Sequence, residues 1–317
     1  MLRRTALSAC SALLAAVLVP ALPSQAAPRD TSTGTVAATA GSKAAGSEAA
    51  GSKAAGSKAV GPLRYVALGD SYSAASGVLP PDPTAPLQCL RSTRNYPHVI
   101  AARTGARLTD VTCGAAETGD FFSEQYPGVA PQLDALRKRT KLVTMTIGGN
   151  DNNTFIGAIL SCGVAGLSTL GKGSPCKDQY GQSFERAVRQ VTYPALVKTL
   201  RAVHRRAPRA TVAILGYPWI LPPKGGCFGK MPVARGDVPY LRSLQATLNN
   251  AVRRAAKATR SIYVNLNRVS EGHDACQPVG VRWVEPVLGT TNPVVVHPNA
   301  LGERKMAART IKVLDLG

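Results

Sequence analysis

Four short stretches of the chain hold residue types from which a serine-based acyl transfer could be assembled. The first is Gly69-Asp70-Ser71, directly after the mostly apolar run Leu63 to Leu68. A glycine there lets the backbone turn sharply. The serine then follows at what reads as the C-terminal tip of a buried strand, the edge where open α/β sheets build their sites. Serine is a weak nucleophile at neutral pH and needs a base within hydrogen-bond reach. The chain offers four histidines. His98 falls inside a helix opened by Tyr96-Pro97, and His204 sits in a basic run with Arg205 and Arg206, so both have structural settings. His273 precedes Asp274 and Cys276 in a constrained loop. His297 follows Val294-Val295-Val296 and precedes Pro298, which fixes the exit of the chain, and it is the best placed base.

Acyl transfer also needs donors aimed at the oxyanion of the tetrahedral intermediate. Gly114, just past a second apolar stretch, suits a backbone donor because nothing hinders close approach. Asn150, in Gly148-Gly149-Asn150-Asp151 at the end of a third such stretch, can offer its side-chain amide, and the N–H of Ser71 makes a third donor. Taken singly, each motif has a plainer reading. Gly69-Asp70-Ser71 could be a capped turn, and Gly148 to Asp151 a strand-to-helix turn with Asp151 or Asn152 as cap. No Gly-x-Ser-x-Gly elbow occurs, which argues against the α/β-hydrolase version of this chemistry.

The elements that must position these residues alternate along the chain. Strands are expected at 63–68, 107–113, 141–147, 210–215 and 262–266, and helices from Asn95-Tyr96-Pro97 to Arg103 and over 129–139, 183–206, 238–259 and about 301–314. A proline-rich loop fills 78–86, and a Gly/Ser-rich excursion runs over 161–178. This alternation predicts an open, mostly parallel five-stranded sheet with helices on both faces, a three-layer α/β fold. Right-handed crossovers then set the ends of the first three strands on one edge, so that Ser71, Gly114 and Asn150 can converge.

The ends and the composition bound the setting. Arg3-Arg4, the apolar run Ala6 to Val19 and the small residues Ser24-Gln25-Ala26 read as a secretory signal peptide over 1–26. Leu7-Ser8-Ala9-Cys10 places its cysteine at the start of the apolar run, which argues against a lipid anchor. Residues 27–62 carry a period-five Gly-Ser-Lys-Ala-Ala pattern without aromatics and are expected to be a flexible tether. The folded domain is then 63–317, expected to act as a monomer. With a formal charge of +20, adhesion to anionic membrane or cell-wall surfaces is a natural consequence for an exported chain. Nucleic-acid binding is not supported, because the cations are spread along helices with no recognisable module. Cys89, Cys113, Cys162, Cys176, Cys227 and Cys276 remain after the leader, an even number that reads as three disulfides with fifteen pairings open. Their spacing does not suit a structural zinc site.

The blocks Gly69-Asp70-Ser71, Gly114, Gly148-Gly149-Asn150-Asp151 and His297-Pro298-Asn299 together resemble, in order, the four signature blocks of the SGNH (GDSL) hydrolase family. Cys89 before Arg91-Ser92 and Tyr96-Pro97, Cys113 before Gly114, and Gly272-His273-Asp274 before Cys276 are similar to the exported actinomycete esterase/lipase branch. The resemblance implies a flavodoxin-like sheet and a secreted, cofactor-free and metal-free serine ester hydrolase, a lipase or carboxylesterase. It also implies disulfides Cys89–Cys113, Cys162–Cys176 and Cys227–Cys276. Residue by residue, Ser71 would be nucleophile, Ser71, Gly114 and Asn150 oxyanion donors, and His297 the base. The family commonly has Asp three residues before the histidine, where this chain has Val294. In the branch it resembles, a backbone carbonyl at this position can take that role, so the resemblance implies that the carbonyl of Val294 orients the ring, with Asp274 and Glu303 as substitutes of unusual spacing. The substrate expected is an acyl ester, with lipid favoured. Tyr72, Trp219 and Trp283 are expected to line part of a shallow pocket. The alternatives are a phospholipase, a deacetylase of polysaccharide or cell-wall material, and a non-catalytic basic protein adhering to anionic surfaces.

Overall fold

The computed structural model describes residues 61–317. The expected leader and nearly all of the expected tether lie outside the described residues. Five strands, β1 (Arg64–Ala67), β2 (Arg107–Asp110), β3 (Leu142–Met145), β4 (Thr211–Leu215) and β5 (Ile262–Val264), form one sheet in the order β2-β1-β3-β4-β5. Every pairing is parallel. The order is that of flavodoxin-like sheets, and it changes direction between β1 and β3, so the crevice at that switch point opens beyond the carboxyl ends of these two strands. Ser71 follows one of them and Asn150 the other.

The helices are α1 (Ser71–Ala74), α2 (Tyr96–Thr104), α3 (Phe155–Ser168), α4 (Pro175–Tyr180), α5 (Ser183–Ala187), α6 (Tyr193–Arg206), α7 (Asp237–Thr259) and α8 (Ala300–Leu314). They cover both faces because the strands alternate side chains between two cores. Tyr65, Ala67, Leu142, Ala213 and Val264 pack with Ile100 of α2 and Met306 of α8. Val66, Val143, Met145, Val212 and Ile214 pack on the other side with Ile159 of α3, Leu200 of α6 and Leu248 of α7. Strands buried on both faces read as continuous apolar runs, which is why they are visible in the sequence.

Three expectations change. The stretch 129–139 holds only a single 3-10 turn, Gln132–Ala135, begun by Pro131. The excursion expected over 161–178 is largely helical, in α3 and α4. Its glycines mark close approach rather than irregular chain: a Cβ on Gly166 would stand 2.3 Å from the Pro232 carbonyl oxygen. The helix expected over 183–206 is interrupted by a π-helical turn, Val188–Thr192, just before Pro194, which has no N–H to continue the α-helical ladder. Within this turn Val191 is 46% exposed. Disulfides join Cys89 to Cys113, Cys162 to Cys176 and Cys227 to Cys276, the pairing the resemblance implies.

Candidate active site

At the end of β1 the chain turns through Gly69, whose φ is +125°. A Cβ there would lie 2.4 Å from the Thr146 carbonyl oxygen, so no other residue fits. Gln132 clamps the turn from both sides. The Gly69 N–H donates to Gln132 Oε1 at 2.7 Å, and Gln132 Nε2 donates to Gly69 O at 3.0 Å. Asp70 caps α1 by accepting from the Tyr72 N–H at 3.0 Å. Ser71 is the first residue of that helix, where a backbone N–H has no intrahelical partner and is available to an anion.

His297 arrives from the opposite side, between β5 and α8. Its Nδ1 lies 2.7 Å from a carbonyl oxygen, but that oxygen belongs to Val295 and not to Val294 as expected. Val296 has a φ of +59°, a left-handed reversal that brings the Val295 carbonyl beneath the ring. Val294 turns instead toward Gly77, where its side chain is packed tightly. A carbonyl can only accept, so Nδ1 carries the proton and Nε2 presents a lone pair. Burial holds the His297 pKa below its ordinary value, offset in part by the bond to Val295. The bond to Val295 is the one hydrogen bond to this ring among the described residues. Neither substitute carboxylate reaches it. Asp274 accepts from the Cys276 N–H and from Gln277. Glu303, its pKa pushed well up by burial, accepts from the Tyr96 N–H at 2.6 Å.

Tyr72, next to Ser71, ties the two halves together. Its hydroxyl donates to the Val296 carbonyl at 2.7 Å, and its ring centre stands 5.3 Å from that of His297. The other histidines serve structure. His98 bonds Asn95, His204 bonds Ser261, and His273 stacks on Trp283 at 4.6 Å.

The donors follow their strands as expected, with one difference. Asn150 Nδ2 donates to the Ala116 carbonyl at 3.0 Å, which leaves its second hydrogen free. Gly114, directly after the bridged Cys113, spends its N–H on the Cys89 carbonyl at 2.8 Å. The disulfide draws the two backbones together, so this N–H is committed within the protein. Asp151 locks the Asn150 turn to the Gly114 loop by accepting from the N–H and the hydroxyl of Thr118, both at 2.9 Å.

Beneath these loops lies a buried polar cluster. Asp70 accepts from Thr146 Oγ1 at 2.6 Å and from the Tyr217 hydroxyl at 2.5 Å, and the Gly149 N–H donates to that same hydroxyl at 2.9 Å. One phenol therefore spans the Ser71 turn and the Asn150 turn. Burial pushes Asp70 up to about 6, against the pull of its hydrogen bonds from Thr146, Tyr217 and the backbone. Gln132, Thr146, Tyr217 and the Asp151–Thr118 link had no role in the sequence reading. Tyr217 and Thr146 carried a signal, because they follow β4 and β3 on the same sheet edge. Trp219 and Trp283 do not line the cleft as expected. Both are buried, with Trp219 under the Arg242 guanidinium at 3.5 Å. An apolar hollow of about 450 Å³ lies elsewhere, between the proline-rich loop (Val78, Leu79, Pro86, Leu87) and Pro293 and Val294 just before His297.

A turn-borne serine, an imidazole with its lone pair at Nε2, and amide groups beyond the strand ends at the switch point of a parallel sheet make up the candidate site. Residues 67–305 match the model of the GDSL-like lipase/acylhydrolase family. The chain belongs to that family and is a carboxylic-ester hydrolase. It is similar to Lipase 2 of Streptomyces coelicolor, at 64% identity over 256 residues, 80% of this chain and 86% of the relative. Among solved structures it is similar to phospholipase A1 from Streptomyces albidoflavus (TM-score 0.66, 26% identity, covering 80% of this chain and 98% of that one). It is also similar to the extracellular lipase of Streptomyces rimosus (TM-score 0.64, 29% identity, with the same coverage).

Proposed function

We propose that the protein is a secreted lipase or carboxylesterase that cleaves acyl esters through an acyl-enzyme on Ser71. The observation that carries this reading is the His297 Nδ1 bond to Val295, which fixes the tautomer that a base needs. In the first step Nε2 removes the Ser71 proton as Oγ attacks the ester carbonyl carbon. The oxyanion is held by the Ser71 N–H and the free N–H of Asn150. Gly114 joins them by sharing its N–H between the Cys89 carbonyl and the oxyanion. The imidazolium then protonates the leaving alcohol as the tetrahedral species collapses. Nε2 next takes a proton from water, which attacks the acyl carbon, and the imidazolium returns that proton to Ser71 as the acid leaves. Ser71 and His297 share no hydrogen bond in the structure, and catalytic contacts of this kind commonly tighten in the Michaelis complex.

Lipid esters are favoured. The apolar hollow beside Val294 suits an acyl chain, and the similar proteins bear the names lipase and phospholipase A1. Secretion is supported by the leader-like N-terminus and by three disulfides, which belong to oxidising compartments. Hydrolysis of p-nitrophenyl esters across chain lengths tests the reading. Ser71→Ala and His297→Ala should each lower kcat by at least about 10³, and activity should extend to long acyl chains. Wild-type rates in both variants would remove these residues from the mechanism. An acetyl-only profile would exclude lipid as substrate.

A further inference from the structure

From Thr154 to Gly171 the chain contains no charged residue, and α3 occupies most of that stretch. A helix apolar on every side belongs in a core or a membrane. One side of α3 does face the core, through Phe155, Ala158, Ile159 and Cys162. The other side is open: Leu160 is 60% exposed, Val164 71% and Leu167 56%, and Leu170 just beyond the helix is 78% exposed. The first three stand at i, i+4 and i+7, a single row along the helix, and the four together run about 15 Å at 1.5 Å per residue. Phe228, partly exposed, packs beside Gly171 at the end of this row. The row finishes at two exposed cations, Lys172 and Arg235, the latter bound through its backbone N–H to the Gly171 carbonyl at 2.9 Å.

The other end of the row leads to the site. Helix α3 follows the Asn150-Asp151 turn, and Phe155 at its start lies 6.4 Å from Tyr217, which holds Asp70. The helix has 14 residues, about 21 Å, short of a bilayer's hydrocarbon core of roughly 30 Å.

We infer that this row is the surface by which the enzyme settles on an anionic lipid–water interface. Helix α3 lies flat, its leucines and Val164 among the acyl chains, with Lys172 and Arg235 at the level of the phosphates. Charge decides the occupant. A chain with a net +20 is drawn to anionic headgroups, whereas a second copy would bring like charge to the contact. The inference rests on the lipid-ester reading for its purpose, since docking here delivers the substrate to the cleft edge.

The test uses the secreted protein carrying Ser71→Ala, so that lipid is not consumed, and vesicles of equal parts phosphatidylglycerol and phosphatidylcholine in a flotation assay. The protein should float with these vesicles and less with pure phosphatidylcholine. Adding Val164→Glu and Leu167→Glu should weaken partitioning by more than about tenfold, the least expected when two apolar side chains leave the lipid. In the enzyme with Ser71 intact, the same two changes should leave hydrolysis of a dissolved short-chain ester unchanged, which shows that the fold is kept. Undiminished flotation of the double variant overturns the inference. So does a concentration-dependent dimer, seen by light scattering and abolished by the two changes, because the row would then be a protein contact. Vesicle binding as described together with no hydrolysis of long-chain esters would leave the docking surface standing and defeat the lipid-ester reading.

Discussion

Replacing Tyr217 with phenylalanine tests the buried cluster under the catalytic turns, because it removes one oxygen and leaves the volume almost unchanged. That oxygen donates to Asp70 at 2.5 Å and accepts from the Gly149 N–H at 2.9 Å. A hydrogen bond to a charged group is worth about 1.5–3 kcal/mol, and a buried N–H left without a partner costs about 1–3 kcal/mol. At pH 8, where Asp70 is ionised, the two losses together come to about 2.5–6 kcal/mol. The pH dependence is the more discriminating readout. Asp70 is raised from 3.8 to about 6, so its contribution to stability is full below the unfolded value and is lost as pH rises through the folded one. The Tyr217 bond lowers the Asp70 pKa, so Tyr217→Phe moves it further up and the loss continues to higher pH. At pH 5 Asp70 is largely neutral in both folded proteins, and the gap between them should shrink by about 1–1.5 kcal/mol, the difference between a charged and a neutral hydrogen bond. Urea denaturation of both proteins at pH 5 and pH 8 reads this directly. A penalty equal at the two pH values would refute an ionised Asp70 held by Tyr217, and a penalty below about 1 kcal/mol at pH 8 would refute the cluster as a structural tie.

Asn150→Ala should lower kcat for a soluble ester by about 10²–10³ with little change in KM, the mark of an interaction made in the transition state; a change confined to KM would move Asn150 to substrate binding. The acid limb of kcat/KM should lie below pH 6.5, because burial lowers the His297 pKa from that value and keeps the base neutral further into acid; a limb above it would contradict burial as the dominant influence on the imidazole. Glu285→Gln should destabilise the protein by about 3 kcal/mol or more, since the buried Arg282, bonded to Glu285 at 2.6 Å, would lose its counter-charge. Thermal melts that match the wild type would show that this pair contributes nothing.

The sequence displayed the fold well wherever burial on both sheet faces leaves continuous apolar runs, as at Tyr65 to Leu68 and Leu142 to Ile147. It misjudged α3, because glycines that allow close helix packing look in one dimension like loop residues. It also could not show the π-turn before Pro194, which depends on how two helical segments meet. The candidate site groups were legible for a local reason, since Ser71, Gly114 and Asn150 sit in short motifs beyond strand ends and His297 in a short motif before α8. Their supports were not. Gln132 reaches Gly69 across 63 positions, Tyr72 reaches Val296 across 224, and Tyr217 reaches Asp70 across 147. No spacing rule connects residues so far apart. The Val294 expectation failed by one residue because the left-handed turn at Val296 is invisible in a run of three valines.

A carboxylate beside the imidazole would both orient the ring and stabilise its cation, whereas the Val295 carbonyl does chiefly the first. The buried negative charge stands instead one step back, at the segment that carries the ring. Glu285 accepts from Arg282, from the Thr291 N–H at 2.8 Å and from Asn299 at 2.8 Å, while its own backbone bonds His297 O and the Val296 N–H. Burial disfavours its charge, yet these donors, led by Arg282, hold its pKa below the ordinary value. Asn299 in turn caps α8 by accepting from the Leu301 and Gly302 N–H groups at 3.0 Å. The base is thus fixed by a charged clamp on its backbone and a neutral contact at its ring. In the proposed mechanism an imidazolium formed at such a ring has no carboxylate beside it, and its charge is balanced by the oxyanion opposite. On that reading the amide groups of Ser71 and Asn150 weigh more on the rate than they would beside a carboxylate-bound histidine, which is what the Asn150→Ala measurement reads.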